Sequence, residues 1–193
     1  TTSGEEVTYG LLSEKVNKAG NLLKNMGLNS GDRLLMVVKD SPEFFYLFWG
    51  AIKAGFIPVP LNTLFRSNDY AYIIEDSECT AVFYSPEFKT EVESALSQVS
   101  RSPDHSCLTE GVSGSFLEQL QSASLELDAA PSSATDDCFW LYSSGTTGKP
   151  KGVVHSHRNM VVTSQHYGKD TLGVREEDVC FSAAKLFFAY GLG

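Results

Sequence analysis

Apolar residues in the first part of the chain alternate between the spacing of an amphipathic helix and the continuous run of a buried strand. From Thr8 to about Met26 they fall on one helical stripe that Gly27 closes, so a helix capped by Thr8 is predicted there. The stripe consists of Leu11, Leu12, Val16, Ala19, Leu22, Leu23 and Met26. Residues 34–38 predict a buried strand, and residues 42–55 predict a second helix with Pro42 in its first turn, followed by an extended segment at residues 56–60.

The same alternation continues through the rest of the chain. Further helices are predicted from residue 67 or 68 through Ile74, over about residues 85–99, near residues 116–121 and from about His157. Further strands are predicted at residues 80–84, 107–108, 138–142, 153–155 and 178–183. Alternating helices and strands predict an α/β fold of layered, largely parallel sheets flanked by helices. We expect one α/β portion over residues 1–135 and a second portion, with both candidate binding motifs, over residues 136–193.

Composition and charge narrow the range of functions. The chain has 193 residues, 42% of them apolar and 20% charged, as in ordinary soluble proteins. A net charge of −9 argues against a nucleic-acid partner, whereas a nucleotide site needs only local donors. Four scattered cysteines without a Cys-x-x-Cys pair favour reduced thiols in a cytoplasmic protein. The longest apolar run, residues 44–52, is far shorter than the roughly twenty residues of a membrane span. The oligomeric state is not predicted.

Residues 142–152 form the most informative segment, Tyr-Ser-Ser-Gly-Thr-Thr-Gly-Lys-Pro-Lys-Gly. It combines hydroxyls, glycines and lysines between apolar residues 138–141 and 153–154. Glycines allow backbone N–H groups to converge on one anion, and hydroxyls and lysines add further donors. The segment therefore predicts a polyphosphate-binding loop between two strands. The alternative is a solvated linker, which does not require Pro-Lys-Gly before an apolar strand.

The sequence argues against two common nucleotide sites. A Walker loop is excluded because Lys149 follows Gly148 too early and Pro150 occupies the position of the required hydroxyl. No Gly-x-Gly-x-x-Gly follows a strand, which argues against a dinucleotide-binding oxidoreductase. The segment resembles the phosphate loop of the AMP-forming adenylate ligases, which include acyl-CoA synthetases, luciferases and peptide-synthetase adenylation domains. Their pattern, Tyr-Ser/Thr-Ser-Gly-Thr-Thr-Gly-x-Pro-Lys-Gly-Val, is met at every fixed position from Tyr142 to Val153.

This resemblance implies a role for most residues of the loop. The hydroxyls expected to contact the phosphates of ATP are those of Ser143, Ser144, Thr146 and Thr147. The glycines expected to permit the loop geometry are Gly145 and Gly148. Lys151 would be the main cation of the loop and the candidate catalytic residue, with an ordinary exposed lysine as the alternative. Lys149 occupies the variable position of the pattern and receives no role.

Residues 182–193, Ser-Ala-Ala-Lys-Leu-Phe-Phe-Ala-Tyr-Gly-Leu-Gly, align with the next motif of the same superfamily, Pro-Leu-Phe-His-x-x-Gly. Lys185 stands where proline is usual and Phe188 where histidine is common. The string resembles that of benzoate–CoA ligases and their close aryl–CoA relatives. In them the segment lines the acyl pocket, so the candidate substrate-binding residues are Phe188, Ala189, Tyr190 and Gly191. A flat aromatic ring fits an apolar, aromatic wall. Alternatively, Phe187, Phe188 and Tyr190 are ordinary core residues.

The resemblance implies an amino-terminal fragment of an aryl–CoA ligase. The parent enzyme would convert benzoate or a similar aromatic acid, with ATP, Mg²⁺ and CoA, to the acyl-CoA, AMP and pyrophosphate. The adenine and Mg²⁺ contacts and a C-terminal domain would lie downstream, and this chain alone is expected not to turn over. No metal ligand is predicted here, because His155 and His157 lack a third ligand. Two alternatives remain open: a ligase for another small acid, and a non-catalytic nucleotide-binding or interaction module of the same fold.

Overall fold

A four-stranded parallel sheet forms the centre of the fold in the computed structural model, which describes residues 6–144 and 148–192. Its strands are β1 (Arg33–Val37), β2 (Ile57–Pro60), β3 (Ala81–Tyr84) and β4 (His105–Leu108), in the spatial order β2-β1-β3-β4. Leu35 of β1 lies opposite Val59 on one side and Val82 on the other. The predicted α/β fold with a parallel sheet is confirmed.

Helices cover both faces of this sheet. On one face lie α1 (Tyr9–Asn25), α2 (Pro42–Ala54) and α5 (Phe116–Ser122), and on the other lie α3 (Ser67–Ser77) and α4 (Lys89–Leu96). Two further helices, α6 (His157–Thr163) and α7 (Ala189–Leu192), follow later in the chain. A 3-10 turn (Pro86–Phe88) precedes α4, and a π-helix (Ser164–Thr171) follows α6. Thr8 caps α1 as predicted, because its Oγ1 accepts a hydrogen bond of 3.1 Å from the Leu11 N–H. None of the helices in the described ranges is long and apolar enough to span a bilayer.

The alternation of side chains along β1 divides the core into two clusters. Leu34 and Met36 point into a cluster with α1, α2 and α5, whereas Leu35 and Val37 point into a second cluster with α3 and α4. Successive residues of a strand face opposite sides, so one strand supplies both clusters. The buried strand predicted from the continuous apolar run is therefore explained by helices on both faces.

Helices α1 and α2 cross with their backbones in close contact. A Cβ atom on Gly50 would lie 2.6 Å from the Ala19 Cβ and 2.9 Å from the Val16 carbonyl oxygen. A Cβ atom on Gly20 would lie 2.8 Å from the Gly50 carbonyl oxygen. Two helices can approach this closely only where side chains are small or absent, so these glycines set the distance between α1 and α2.

A separate antiparallel hairpin follows the parallel sheet. It consists of β5 (Asp137–Ser144) and β6 (Pro150–Ser156), and β5 packs beside β2. Phe139 of β5 is buried, and its ring centre lies 5.6 Å from the ring centre of Phe48 in α2. The two strands predicted on either side of the loop are confirmed, and they pair with each other. The division of the chain between residues 135 and 136 stays a prediction.

The strand predicted at residues 178–183 is wrong. The structure has irregular backbone there, and Val179 and Phe181 are 95% and 91% exposed. The prediction rested on apolar character alone. A strand also requires a neighbour for its backbone hydrogen bonds, and no described strand pairs with these residues.

Candidate active site

The phosphate-loop motif spans the end of β5, the start of β6 and the residues that connect them. Strand β5 ends at Ser144 and β6 begins at Pro150, so residues 145–149 of the motif connect the two strands and Gly152 lies within β6. Gly148 has a φ of +88°, a left-handed conformation that glycine adopts without steric strain. Gly145, Thr146, Thr147 and the side chain of Ser144 lie outside the described residues. Their predicted contacts with phosphate stay predictions.

The hairpin brings Ser143 and Lys151 together. The two residues are direct partners in the antiparallel register, and both side chains are exposed. Partners in such a pair project from the same face of the hairpin. A hydroxyl and an ammonium group therefore lie side by side at the base of the loop, where both could donate hydrogen bonds to one anion.

Two residues of α3, Tyr72 and Asp76, hold both ends of the loop, and we call them the α3 clamp. The Tyr142 hydroxyl donates a hydrogen bond of 2.7 Å to Asp76 Oδ2, and the Tyr72 hydroxyl donates one of 3.2 Å to Oδ1. Beyond the loop, Lys149 Nζ lies 4.8 Å from the centre of the Tyr72 ring. Burial, and then the Asp76 carboxylate, raises the pKa of Tyr142, so its hydroxyl keeps its proton and remains a donor.

Removing the Tyr142 hydroxyl tests this clamp. We expect Tyr142→Phe to lower the free energy of unfolding by about 1 kcal/mol, because one hydrogen bond to an exposed carboxylate is lost. Urea unfolding of the natural full-length polypeptide measures the change. Tyr9→Phe is the matched control, since Tyr9 is fully exposed and its hydroxyl should contribute nothing. Equal stabilities of the two variants would contradict a role for Asp76 in holding the loop.

The predicted acyl-site residues lie in residues 185–192, where a turn leads directly into the short helix α7, and we call this segment the 185–192 turn. Phe187 is buried, at 7% exposure, and its ring centre lies 4.3 Å from that of Phe188. Phe188 and Tyr190 are 50% and 77% exposed, and Ala189 is also exposed. The alternative of ordinary core residues therefore holds for Phe187 alone. The other two aromatic rings offer an accessible apolar surface.

Gly191 lies against the backbone at the start of the 185–192 turn. A Cβ atom at this position would be 2.2 Å from the Lys185 carbonyl oxygen and 3.0 Å from that of Ala184. Backbone atoms cannot move aside as the end of a flexible side chain can. A residue with a side chain at position 191 would therefore open the turn.

No metal centre can be assembled from the described part of the chain. It contains no group of three or more His, Cys, Asp or Glu side chains that could hold an ion. His155 stacks on Phe139, with ring centres 4.6 Å apart, and burial lowers its pKa. His155 lies in β6 opposite Phe139 of β5, so packing within the hairpin accounts for this histidine.

Comparisons with known proteins agree with these motifs. The sequence model of the AMP-binding enzyme family matches residues 1–193. A benzoate–CoA ligase of Thauera aromatica is 43% identical over 188 residues, which cover 96% of this chain and 36% of the relative. A 4-hydroxybenzoate–CoA/benzoate–CoA ligase of Rhodopseudomonas palustris is 42% identical over 193 residues, which cover 97% of this chain and 35% of the relative.

Solved structures show the same relationship. A benzoate CoA ligase from Burkholderia xenovorans LB400 superimposes with a TM-score of 0.89 at 37% identity, covering 97% of this chain and 37% of that one. An anthranilate CoA ligase in complex with anthranoyl-AMP gives a TM-score of 0.93 at 36% identity, and the match covers 98% of this chain and 37% of that one. The chain thus spans about a third of the length of these relatives. With a family match along its whole length, the chain belongs to the AMP-binding enzyme family.

Proposed function

We propose that this chain is part of an AMP-forming aryl–CoA ligase. The enzyme activates benzoate or a similar aromatic carboxylate with ATP and then transfers the acyl group to CoA. One observation carries the proposal: a phosphate-loop hairpin and an exposed aromatic turn occur together in a chain that is 43% identical to a benzoate–CoA ligase. We place the enzyme in the cytoplasm, in the metabolism of aromatic acids, which suits its four free thiols.

The loop would serve the first step of this reaction. A carboxylate oxygen attacks the α-phosphorus of ATP, the bond to the bridging oxygen breaks, and pyrophosphate leaves with the electron pair. One anion must approach a polyanion, so the step depends on donors aimed at the phosphate oxygens. The Ser143 hydroxyl and the Lys151 ammonium group lie side by side and can supply such donors. Mg²⁺ supplies further charge neutralisation when bound, and we assign it to no side chain of the described residues.

The 185–192 turn would bind the aromatic part of the acid. Phe188 and Tyr190 present exposed rings, and a flat ring packs favourably against such surfaces. In the second step the CoA sulfur attacks the acyl carbon of the adenylate, and AMP leaves as the C–O bond to phosphate breaks. The relatives include ligases for benzoate and hydroxybenzoates. We therefore propose an unsubstituted or singly substituted benzoate as the substrate.

Exchange of labelled pyrophosphate into ATP tests the proposal on the natural full-length polypeptide. Benzoate, 3-hydroxybenzoate, 4-hydroxybenzoate, 2-aminobenzoate and acetate are compared with a reaction that lacks acid. We expect one of the aromatic acids to support the fastest exchange. Exchange led by acetate would indicate a ligase for aliphatic acids. A folded protein that shows no exchange with any acid would instead be a non-catalytic member of the family.

A further inference from the structure

Asp40 links the end of β1 to the 185–192 turn through both of its carboxylate oxygens. Oδ1 accepts a hydrogen bond of 3.0 Å from the Leu186 N–H, and Oδ2 lies 3.0 Å from Lys185 Nζ. Asp40 and Leu186 are 146 positions apart in the sequence. Asp40 stands between β1 and α2, at the carboxyl end of a strand in the parallel sheet. Ligands of such sheets bind beyond this edge.

The two residues that Asp40 holds form the base of the turn. The Lys185 carbonyl oxygen accepts a hydrogen bond of 3.1 Å from the Phe188 N–H, and the Phe188 carbonyl oxygen accepts one of 2.9 Å from the Gly191 N–H. Gly191 in turn packs directly against the Lys185 backbone. The turn is thus closed on Lys185, so whatever fixes Lys185 and Leu186 also fixes Phe188, Ala189 and Tyr190.

The chain before the turn contributes little to this placement. Val179 and Phe181 are almost fully exposed and belong to no strand. Within the turn, Phe187 is buried, and Leu186 packs against the core cluster that includes α1, α2 and α5. Such apolar contacts hold the turn near the sheet, whereas hydrogen bonds to one carboxylate fix its orientation.

We propose that Asp40 is a positioning residue of the acyl site and that Lys185 is its charged partner. The proposal rests on the aryl–CoA ligase function. The pair is partly exposed and therefore weakened by salt. The backbone hydrogen bond from Leu186 does not depend on the identity of residue 185.

Kinetics of pyrophosphate exchange in the natural full-length enzyme test this role. We expect Asp40→Ala to raise the KM for benzoate about tenfold, because both contacts with the turn are lost. Asp40→Asn and Lys185→Met should each raise the KM for benzoate about threefold. Both variants lose the ion pair but keep an oxygen at position 40 that accepts the hydrogen bond from the Leu186 N–H. The KM for ATP should stay within about twofold, because Asp40 contacts no described part of the phosphate loop.

A second measurement does not depend on activity. Hydrogen–deuterium exchange of a peptide containing Leu186 should become faster in Asp40→Ala, while a peptide from β5 should exchange as in the wild type. The exposed Asp128 gives the matched control, Asp128→Ala, which should change neither readout. An unchanged KM for benzoate, or unchanged exchange at Leu186, would overturn the proposal. A parallel rise in both KM values with a loss of stability would assign Asp40 a purely structural role.

The same experiment separates this inference from the proposed function. If none of the tested acids supports pyrophosphate exchange by the wild-type enzyme, the ligase function fails, and with it the acyl-site role of Asp40. Hydrogen exchange would then still show whether Asp40 anchors the turn. If the wild type is active with benzoate and Asp40→Ala has the wild-type KM, the function stands and the inference alone fails.

Discussion

Replacing Lys151 with alanine is expected to lower kcat/KM for acid-dependent pyrophosphate exchange by about 10- to 100-fold. The substitution removes the ammonium group that lies opposite Ser143 across the hairpin. A hydrogen bond to a charged group is worth about 1.5–3 kcal/mol, and each 1.4 kcal/mol changes a rate about tenfold. The measurement is exchange by the natural full-length enzyme at several ATP concentrations, so that losses in binding and in turnover are separated.

Lys149 provides the matched control for this experiment. It lies in the same hairpin, and its ammonium group faces the Tyr72 ring of the α3 clamp. We expect Lys149→Ala to stay within about threefold of the wild type, since a cation–π contact at an exposed site is weak. Equal losses in the two variants would point to the general charge of the loop. Full activity of Lys151→Ala would contradict the assigned role of Lys151.

Gly50→Ala is expected to lower the free energy of unfolding by about 2 kcal/mol, although alanine favours helices over glycine by about 1 kcal/mol. The added methyl group would lie 2.6 Å from the Ala19 Cβ and 2.9 Å from the Val16 carbonyl oxygen. Neither neighbour can rotate away, so α1 and α2 must separate and the packing between them loosens. Urea unfolding of the natural full-length polypeptide measures the loss.

Gly10→Ala in α1 is the control for this stability prediction. A Cβ atom there would meet only the Thr8 Oγ1, at 3.8 Å, so the helix gains propensity without a clash. We expect the stability to be unchanged or raised by up to about 1 kcal/mol. If Gly50→Ala were as stable as Gly10→Ala, the close helix crossing would not be a determinant of stability.

Sequence patterns predicted a helix or strand correctly where its formation depends on residues close together in the chain. The Thr8 cap and the apolar stripe of α1 depend on residues within a few positions of each other, and the structure confirms both. The strand–loop–strand order around the phosphate motif is confirmed for the same reason. The strand predicted at residues 178–183 is wrong because strand formation depends on a partner elsewhere in the chain.

The contacts that organise the candidate site could not be predicted from local patterns. Asp76 meets Tyr142 across 66 positions and Asp40 meets Leu186 across 146 positions. An isolated aspartate in a loop or on a helix has no periodicity that indicates its partner. One signal was present in the sequence: Lys185 stands where the general superfamily pattern usually has proline, and the structure places it beside Asp40.

The close approach of Gly191 to Lys185 has a consequence for changing the substrate range of such an enzyme. A library that varies the acyl site can diversify positions 188, 189 and 190, where the side chains are exposed and have room to differ. Position 191 has to be kept as glycine, because any added carbon would collide with the backbone that shapes the other three. Variation confined in this way should yield fewer misfolded clones, so that activity losses in a screen report on the acid itself.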